Sequence, residues 1–149
     1  MSDTSHDLVT GATGFIGRRL CQRLRDAGRT VTAVARETSE GPWDRFLAAD
    51  LGEGGLAPGV LEGVDTIYHL ASRVHVRLGG EDPVDAYVRT NVEGTRHLLA
   101  RARDDGARRF VFASSVKAMG EYTDGIADER TPCQPATAYG RTKREAELA

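Results

Sequence analysis

Between an apolar run and an amphipathic one stands Thr10-Gly-Ala-Thr-Gly-Phe-Ile-Gly17, with glycines at 11, 14 and 17. No other feature constrains the fold as strongly. A strand that turns at once into a helix needs a tight corner at Gly11, open backbone at Gly14, and no side chain at Gly17, where the helix crosses close to the strand. The helix then begins with unpaired N–H groups and the positive end of its dipole facing the turn, which suits a phosphate. The spacing differs by one residue from GxGxxG, with the same physics. A glycine-rich turn without a ligand is the plainer reading, and the strand before and helix after argue against it.

The remaining chain alternates strand and helix signals. Asp7–Thr10 reads as the first strand, and roughly Phe15–Ala27 as a helix with Ile16, Leu20, Leu24 and Ala27 inward and Gly28 as its stop. Val31–Ala35 reads as the second strand. The stretch from Glu37 to Pro58 is irregular, apart from a weak third strand near Phe46–Ala49. Asp65–Ala71 reads as the fourth strand. Asp82 and Pro83 form an N-cap and first-turn pair for a helix that buries Val84, Val88, Val92, Leu99 and Ala102 and stops near Gly106. Arg109–Ser114 is the fifth strand, and a last helix starts near Thr137. This pattern predicts an α/β fold: a doubly wound parallel sheet of order 3-2-1-4-5, binding its ligand over the strands' C-terminal ends where strands 1 and 4 diverge.

Composition narrows the function classes. The 149 residues, 40% hydrophobic and 28% charged, fit one domain, 1–149, with a core that needs no metal or disulfide. A net charge of -2 supplies no field for nucleic acid. Cys21 and Cys133 lack metal or redox spacing, the four histidines do not pair at ligand spacing, and no metal site is expected. Cys21 is expected to be packed, and His69 to be a packed strand residue rather than a catalyst. His75 is a minor candidate for approaching a substrate. The polar start and the lack of a membrane-length apolar run make the cytoplasm the default compartment and exclude a membrane partner.

At the end of the second strand an acid would bind a ribose 2′-hydroxyl and an arginine a 2′-phosphate. The residues there are Ala35 and Arg36, with Arg18 following the glycines, so NADP is favoured slightly over NAD. Further on, Tyr139-Gly-Arg-Thr-Lys143 sets a phenol and an ammonium one helical turn apart on one face. A phenol, with an ordinary pKa of about 10, is a poor base at neutral pH, and a close cation favours its ionised form.

Six ordered motifs now stand together: Gly11xxGly14xxGly17, Asp50-Leu51, His69-Leu-Ala71, Asn91-Val-Glu-Gly-Thr95, Ser114-Ser115 and Tyr139xxxLys143. The chain resembles the extended short-chain dehydrogenases/reductases, in the NAD-dependent epimerase/dehydratase group, over essentially its whole length. The resemblance implies a Rossmann-type sheet. It also implies a dinucleotide held by Gly11, Gly14, Phe15, Ile16 and Gly17, with Asp50 and Leu51 at the adenine, Leu70 and Ala71 beside the adenosine and pyrophosphate, and Asn91 tying the mid-helix to neighbouring strands on the cofactor side. It makes Ser115 the residue that orients the reacting oxygen, Tyr139 the acid/base, and Lys143 the partner of the nicotinamide ribose and of Tyr139. Ser114 is adjacent, and alternation along a strand admits only one of the two serines to the site.

Sugar 4,6-dehydratases of this family carry Asp-Glu after the equivalent of Ser115. Val116 and Lys117 stand here, which disfavours dehydration. The runs Ser114–Glu121 and Ser72–Val76 look like those of UDP-sugar 4-epimerases and 4-ketoreductases of surface-polysaccharide pathways, apart from Met119. The implied activity is hydride exchange at C4 of a UDP-sugar, by a protein that forms homodimers at full length. Family members are about twice as long, so the sequence is expected to be the cofactor-binding part, truncated before the substrate-binding domain. Alone it would bind dinucleotide weakly and turn over no sugar. A non-catalytic dinucleotide-binding module or a decayed fragment is the alternative.

Overall fold

A computed structural model of the protein describes residues 5–74, 83–121 and 125–149. Strands β1 (His6–Thr10), β2 (Thr30–Ala35), β3 (Arg45–Ala48), β4 (Thr66–His69) and β5 (Arg109–Phe112) pair in parallel in the order β3-β2-β1-β4-β5. This is the expected Rossmann-type topology. Helix α1 spans Phe15–Asp26. Helix α2 (Val84–Tyr87) runs through a π-helical stretch, Val88–Glu93, into α3 (Gly94–Asp104), and α4 spans Ala138–Glu147. Short 3-10 turns occupy Leu51–Glu53 and Val116–Ala118.

The central strand is buried on both faces, as a parallel sheet between helices requires. Along β1, Leu8 joins a core with Val34, Leu61, Ile67 and Leu98, while Val9 joins Cys21, Leu24, Val31 and Ala33 on the opposite face. Cys21 is packed, as expected. Asp7 is also fully buried, and the Arg29 guanidinium holds it through two hydrogen bonds, from Nε to Oδ2 and from Nη2 to Oδ1.

Three local expectations need correction. The inward face of α1 is Gly17, Cys21 and Leu24, and Ile16 is 67% exposed. Contact at Gly17 sets which face meets the sheet, so the residue before it points away. In the second helical run Pro83 precedes the helix, Val84 is exposed, and the buried line is Tyr87, Asn91, Val92, Thr95, Leu98 and Ala102. Val92 and Ala102 are buried as expected, but the polar Asn91 and Thr95 share the buried line and the π turn alters the local phase, so apolar periodicity caught only part of it. Finally, β4 and β5 are shorter than expected: β5 stops at Phe112 because the Ala113 carbonyl leaves the ladder to accept a hydrogen bond from Lys143. Asp82 and His75 lie outside the described residues.

Candidate functional site

The glycine turn is built by exclusion of side chains. Gly11 has φ +66°, and a Cβ there would lie 2.8 Å from the Ala71 nitrogen at the end of β4. At Gly17 a Cβ would overlap the Gly11 carbonyl oxygen and approach the Ala12 Cα to 2.8 Å. Gly14 is less crowded, its Cβ position lying 3.3 Å from the Gly11 carbonyl. Gly11 and Gly17 are thus required by the close crossing of α1 over β1 and β4, and Gly14 leaves the mouth of the turn open. Gly14, at the start of α1, has no side chain with which to cap it, so the first N–H groups of the helix face the turn.

A groove of about 610 Å³ opens beside this turn, over the C-terminal ends of the strands, within the range of small-molecule sites. Gly11, Gly14, Arg36, Leu51, Leu70 and Ala71 line it. Phe15, 97% exposed, and Ile16 lie at the start of α1, with Phe15 lining an adjoining cleft beside Arg18 and Pro42. Asp50 is exposed outside the groove lining, and its Oδ1 accepts from the Gly52 N–H at 2.9 Å, capping the 3-10 turn that presents the buried Leu51. Sequence reasoning passed over Thr13, Glu37, Thr38, Ser39 and Thr90, which also line the groove. The loop after β2 was legible as irregular, and its closeness to Arg18 was the missing signal: Arg18 donates to the Glu40 carbonyl at 3.1 Å and stacks 5.3 Å over Trp43.

Asn91 is buried and saturated. Its Oδ1 accepts from Arg73 N–H (2.7 Å) and the Ser72 hydroxyl (3.1 Å), and its Nδ2 donates to Thr142 Oγ1 (3.1 Å) and the Arg73 carbonyl (3.2 Å). It joins the segment after β4 to α4.

His69 extends this polar seam. Thr95 uses its one hydroxyl proton on the Asn91 carbonyl (2.7 Å), so it accepts from His69 Nε2 at 2.9 Å. His69 Nδ1 then accepts from the Thr10 hydroxyl at 2.7 Å, and that oxygen accepts from Ala71 N–H at 3.1 Å. Burial, reinforced by the Lys143 charge, pushes the imidazole pKa down to about 3 and keeps it neutral.

The second constellation lies where α4 meets the turn after β5. Thr137 caps α4, its Oγ1 accepting from Gly140 N–H at 3.1 Å. A Cβ at Gly140 would overlap the Lys117 carbonyl, so a glycine inside Tyr139xxxLys143 lets α4 dock on the 3-10 turn. Ser115 begins that turn and its Oγ accepts from Lys117 N–H at 3.2 Å, whereas the exposed Ser114 donates to Glu147 Oε1. The two serines, both beyond the end of β5, thus take different partners. Tyr139 is half-buried in the first turn of α4. Lys143 is 2% exposed, and its Nζ donates to the Ala113 carbonyl at 2.6 Å and sits 4.0 Å from the Phe112 ring centroid. Burial brings its pKa down to about 8, against the raising influence of Glu147. The glycine turn with its groove and the tyrosine–lysine helix thus occupy the same end of one parallel sheet.

Residues 8–149 match the NAD dependent epimerase/dehydratase family, and the chain belongs to it. Among its relatives, it is 37% identical over 148 residues to sterol demethylase protein B of Methylococcus capsulatus, covering 94% of this chain and 44% of that protein. It is 33% identical over 157 residues to the uncharacterized UDP-glucose epimerase YtcB of Bacillus subtilis, covering 91% and 48%. The solved structure of MoeE5 in complex with UDP-glucuronic acid and NAD superposes with a TM-score of 0.82 at 35% identity, over 97% of this chain and 48% of that one. The chain spans about half the length of the curated relatives it matches. Among the described residues no helix is long and apolar enough to cross a membrane.

Proposed function

We propose that this chain is the cofactor-binding domain, residues 1–149, of an NAD(P)-dependent oxidoreductase or epimerase that exchanges hydride at C4 of a UDP-sugar. The observation that carries the reading is the joint placement of the Gly11–Gly17 turn, its groove, and the Tyr139–Lys143 helix at one end of the sheet. The residues fit a dinucleotide: the open turn and uncapped α1 suit the pyrophosphate, Leu51, Leu70 and Ala71 give apolar walls, and Arg36 stands at the end of β2. When bound, the nicotinamide supplies hydride transfer.

The protein's own groups handle the proton and the positioning. Tyr139 removes or returns the proton of the reacting hydroxyl, Ser115 orients that oxygen, and Lys143 places a positive charge one helical turn from Tyr139. Val116 and Lys117 offer no acid–base pair for eliminating water, since Lys117 is already paired with Glu121. Arg36 favours NADP over NAD slightly, although MoeE5 binds NAD. The protein as proposed is cytoplasmic and homodimeric.

Identity to sterol demethylase protein B favours a second reading, oxidation of a sterol alcohol by the same tyrosine. The test offers UDP-glucose, UDP-galactose and a sterol alcohol to the protein as its gene encodes it, alongside Tyr139→Phe. Turnover of a UDP-sugar, lost about 100-fold or more in the variant while dinucleotide affinity is kept, is expected. Variant turnover near wild type, or turnover of the sterol alone, contradicts the UDP-sugar mechanism.

A further inference from the structure

Three residues lie side by side across the C-terminal ends of three strands. The pairing register sets Thr10 of β1 opposite His69 of β4, and His69 opposite Phe112 of β5. Adjacent parallel strands in register send such side chains to the same face. The rings of His69 and Phe112 pack with centroids 5.6 Å apart, and the Lys143 ammonium lies 4.0 Å from the Phe112 centroid. A continuous row therefore runs from the glycine turn, through Thr10, the fixed imidazole and the phenyl ring, to the lysine of α4.

We propose that Phe112 is a positioning residue for Lys143: its ring face holds the buried ammonium in its charged form and aims it, with the neutral His69 ring backing the phenyl group. This rests on the reading of Tyr139 and Lys143 as the acid/base pair and adds a residue to it.

A lysine only 2% exposed has lost nearly all contact with water. Among the described residues its hydrogen-bond acceptor is a neutral carbonyl, that of Ala113. Glu147, four residues along α4, raises its proton affinity, but that carboxylate is shared with Ser114 and Arg144. From β4 the facing titratable group is His69, and a charged imidazole there would repel the ammonium. The hydrogen bonds from Thr10 and to Thr95 hold it in one neutral tautomer. From β5 the facing group is Phe112, whose negative ring face attracts a desolvated cation. Phe112 and the Ala113 carbonyl together fix two directions around Nζ, which orients the third. Without the ring, burial alone would pull the lysine further toward the neutral amine.

The chain has two lysines, Lys117 and Lys143, which makes the test direct. The 149-residue protein is labelled with [13Cε]-lysine, Lys117→Arg assigns the signals, and circular dichroism confirms that each variant is folded. In wild type the Lys143 ε-protons are expected upfield of those of Lys117 through the ring current, with a titration midpoint near 8. Phe112→Leu is expected to abolish the upfield shift and lower the midpoint by about one pH unit, and Phe112→Tyr to restore both. An unshifted Lys143 signal in wild type overturns the proposal whether or not the leucine variant folds. So does a folded Phe112→Leu protein whose Lys143 titrates as in wild type. Neither readout requires a bound dinucleotide or turnover, so failure of the cofactor reading would leave these signals unchanged.

Discussion

The two ends of the candidate site are built by opposite means. At the glycine turn, backbone does the positioning: Gly11 and Gly17 leave no room for a Cβ, β1 is buried on both faces, and the buried Asp7 carboxylate beneath is clasped by Arg29. At the α4 end, side chains do it. There β5 lies at the border of the sheet with Val111 47% exposed, Ser114 and Lys117 engage carboxylates, and the buried Lys143 rests on one ring and one carbonyl. A phosphate cradle needs fixed N–H groups, which a packed turn supplies. An acid–base pair needs tunable charge, which side chains supply at some cost in stability. Substitutions at the first end should therefore act on folding, and those at the second on chemistry.

Arg29→Ala gives the harshest test. It would strand the fully buried Asp7 carboxylate, and a loss of about 3 kcal/mol in urea unfolding is expected. Gly17→Ala should follow, at about 2 kcal/mol with dinucleotide affinity reduced tenfold or more, because the new methyl must displace the Gly11 carbonyl. If either variant is as stable as wild type, the first end is not the rigid one.

His69 lies between the two regions, and pH tests it. Its folded pKa of about 3 lies below its ordinary 6.5, so below pH 6.5 the unfolded chain takes up a proton that the folded chain refuses. Its contribution is intact above pH 6.5 and is lost as pH falls toward 3, at about 1 kcal/mol per pH unit. Urea unfolding of His69→Gln should show a shallower decline than wild type from pH 6.5 to 4, from a lower starting stability. Equal slopes would mean that His69 is not held neutral.

The smallest effects on stability belong to side chains that the packing does not use, Tyr139 at the second end and Arg36 on the rim of the first. Tyr139→Phe, at a half-buried position with no packing role assigned to its hydroxyl, should change stability by less than about 0.5 kcal/mol. Arg36→Ala should leave folding unchanged and weaken NADP relative to NAD by about tenfold, in keeping with one exposed charge on a phosphate. An unchanged NADP-to-NAD ratio would make Arg36 a bystander.

The first end was far more legible in the sequence than the second. Glycine spacing, strand alternation and the Thr137 start of α4 are local signals, and sheet order followed from them. The face of the second helical run was read only in part, through Val92 and Ala102, because Asn91 and Thr95 are polar yet buried, each satisfied by partners distant in sequence such as Thr142 and His69. The reach of β5 was misread because a lysine 30 residues on takes the Ala113 carbonyl. Phe112 read simply as a strand residue, since what distinguishes it is a ring contact across elements.

The groove beside Gly11, Gly14 and Ala71 is proposed to take a nicotinamide dinucleotide. Backbone NMR of the 149-residue chain, titrated with NADP and NAD, tests it most directly. Weak but saturable one-to-one binding is expected, with the largest shifts at Gly11, Gly14, Arg36 to Ser39 and Leu70 to Ser72, and none of comparable size in Gly17→Ala. Absence of saturable binding to the folded chain, or shifts centred elsewhere and unaffected by Gly17→Ala, would contradict it.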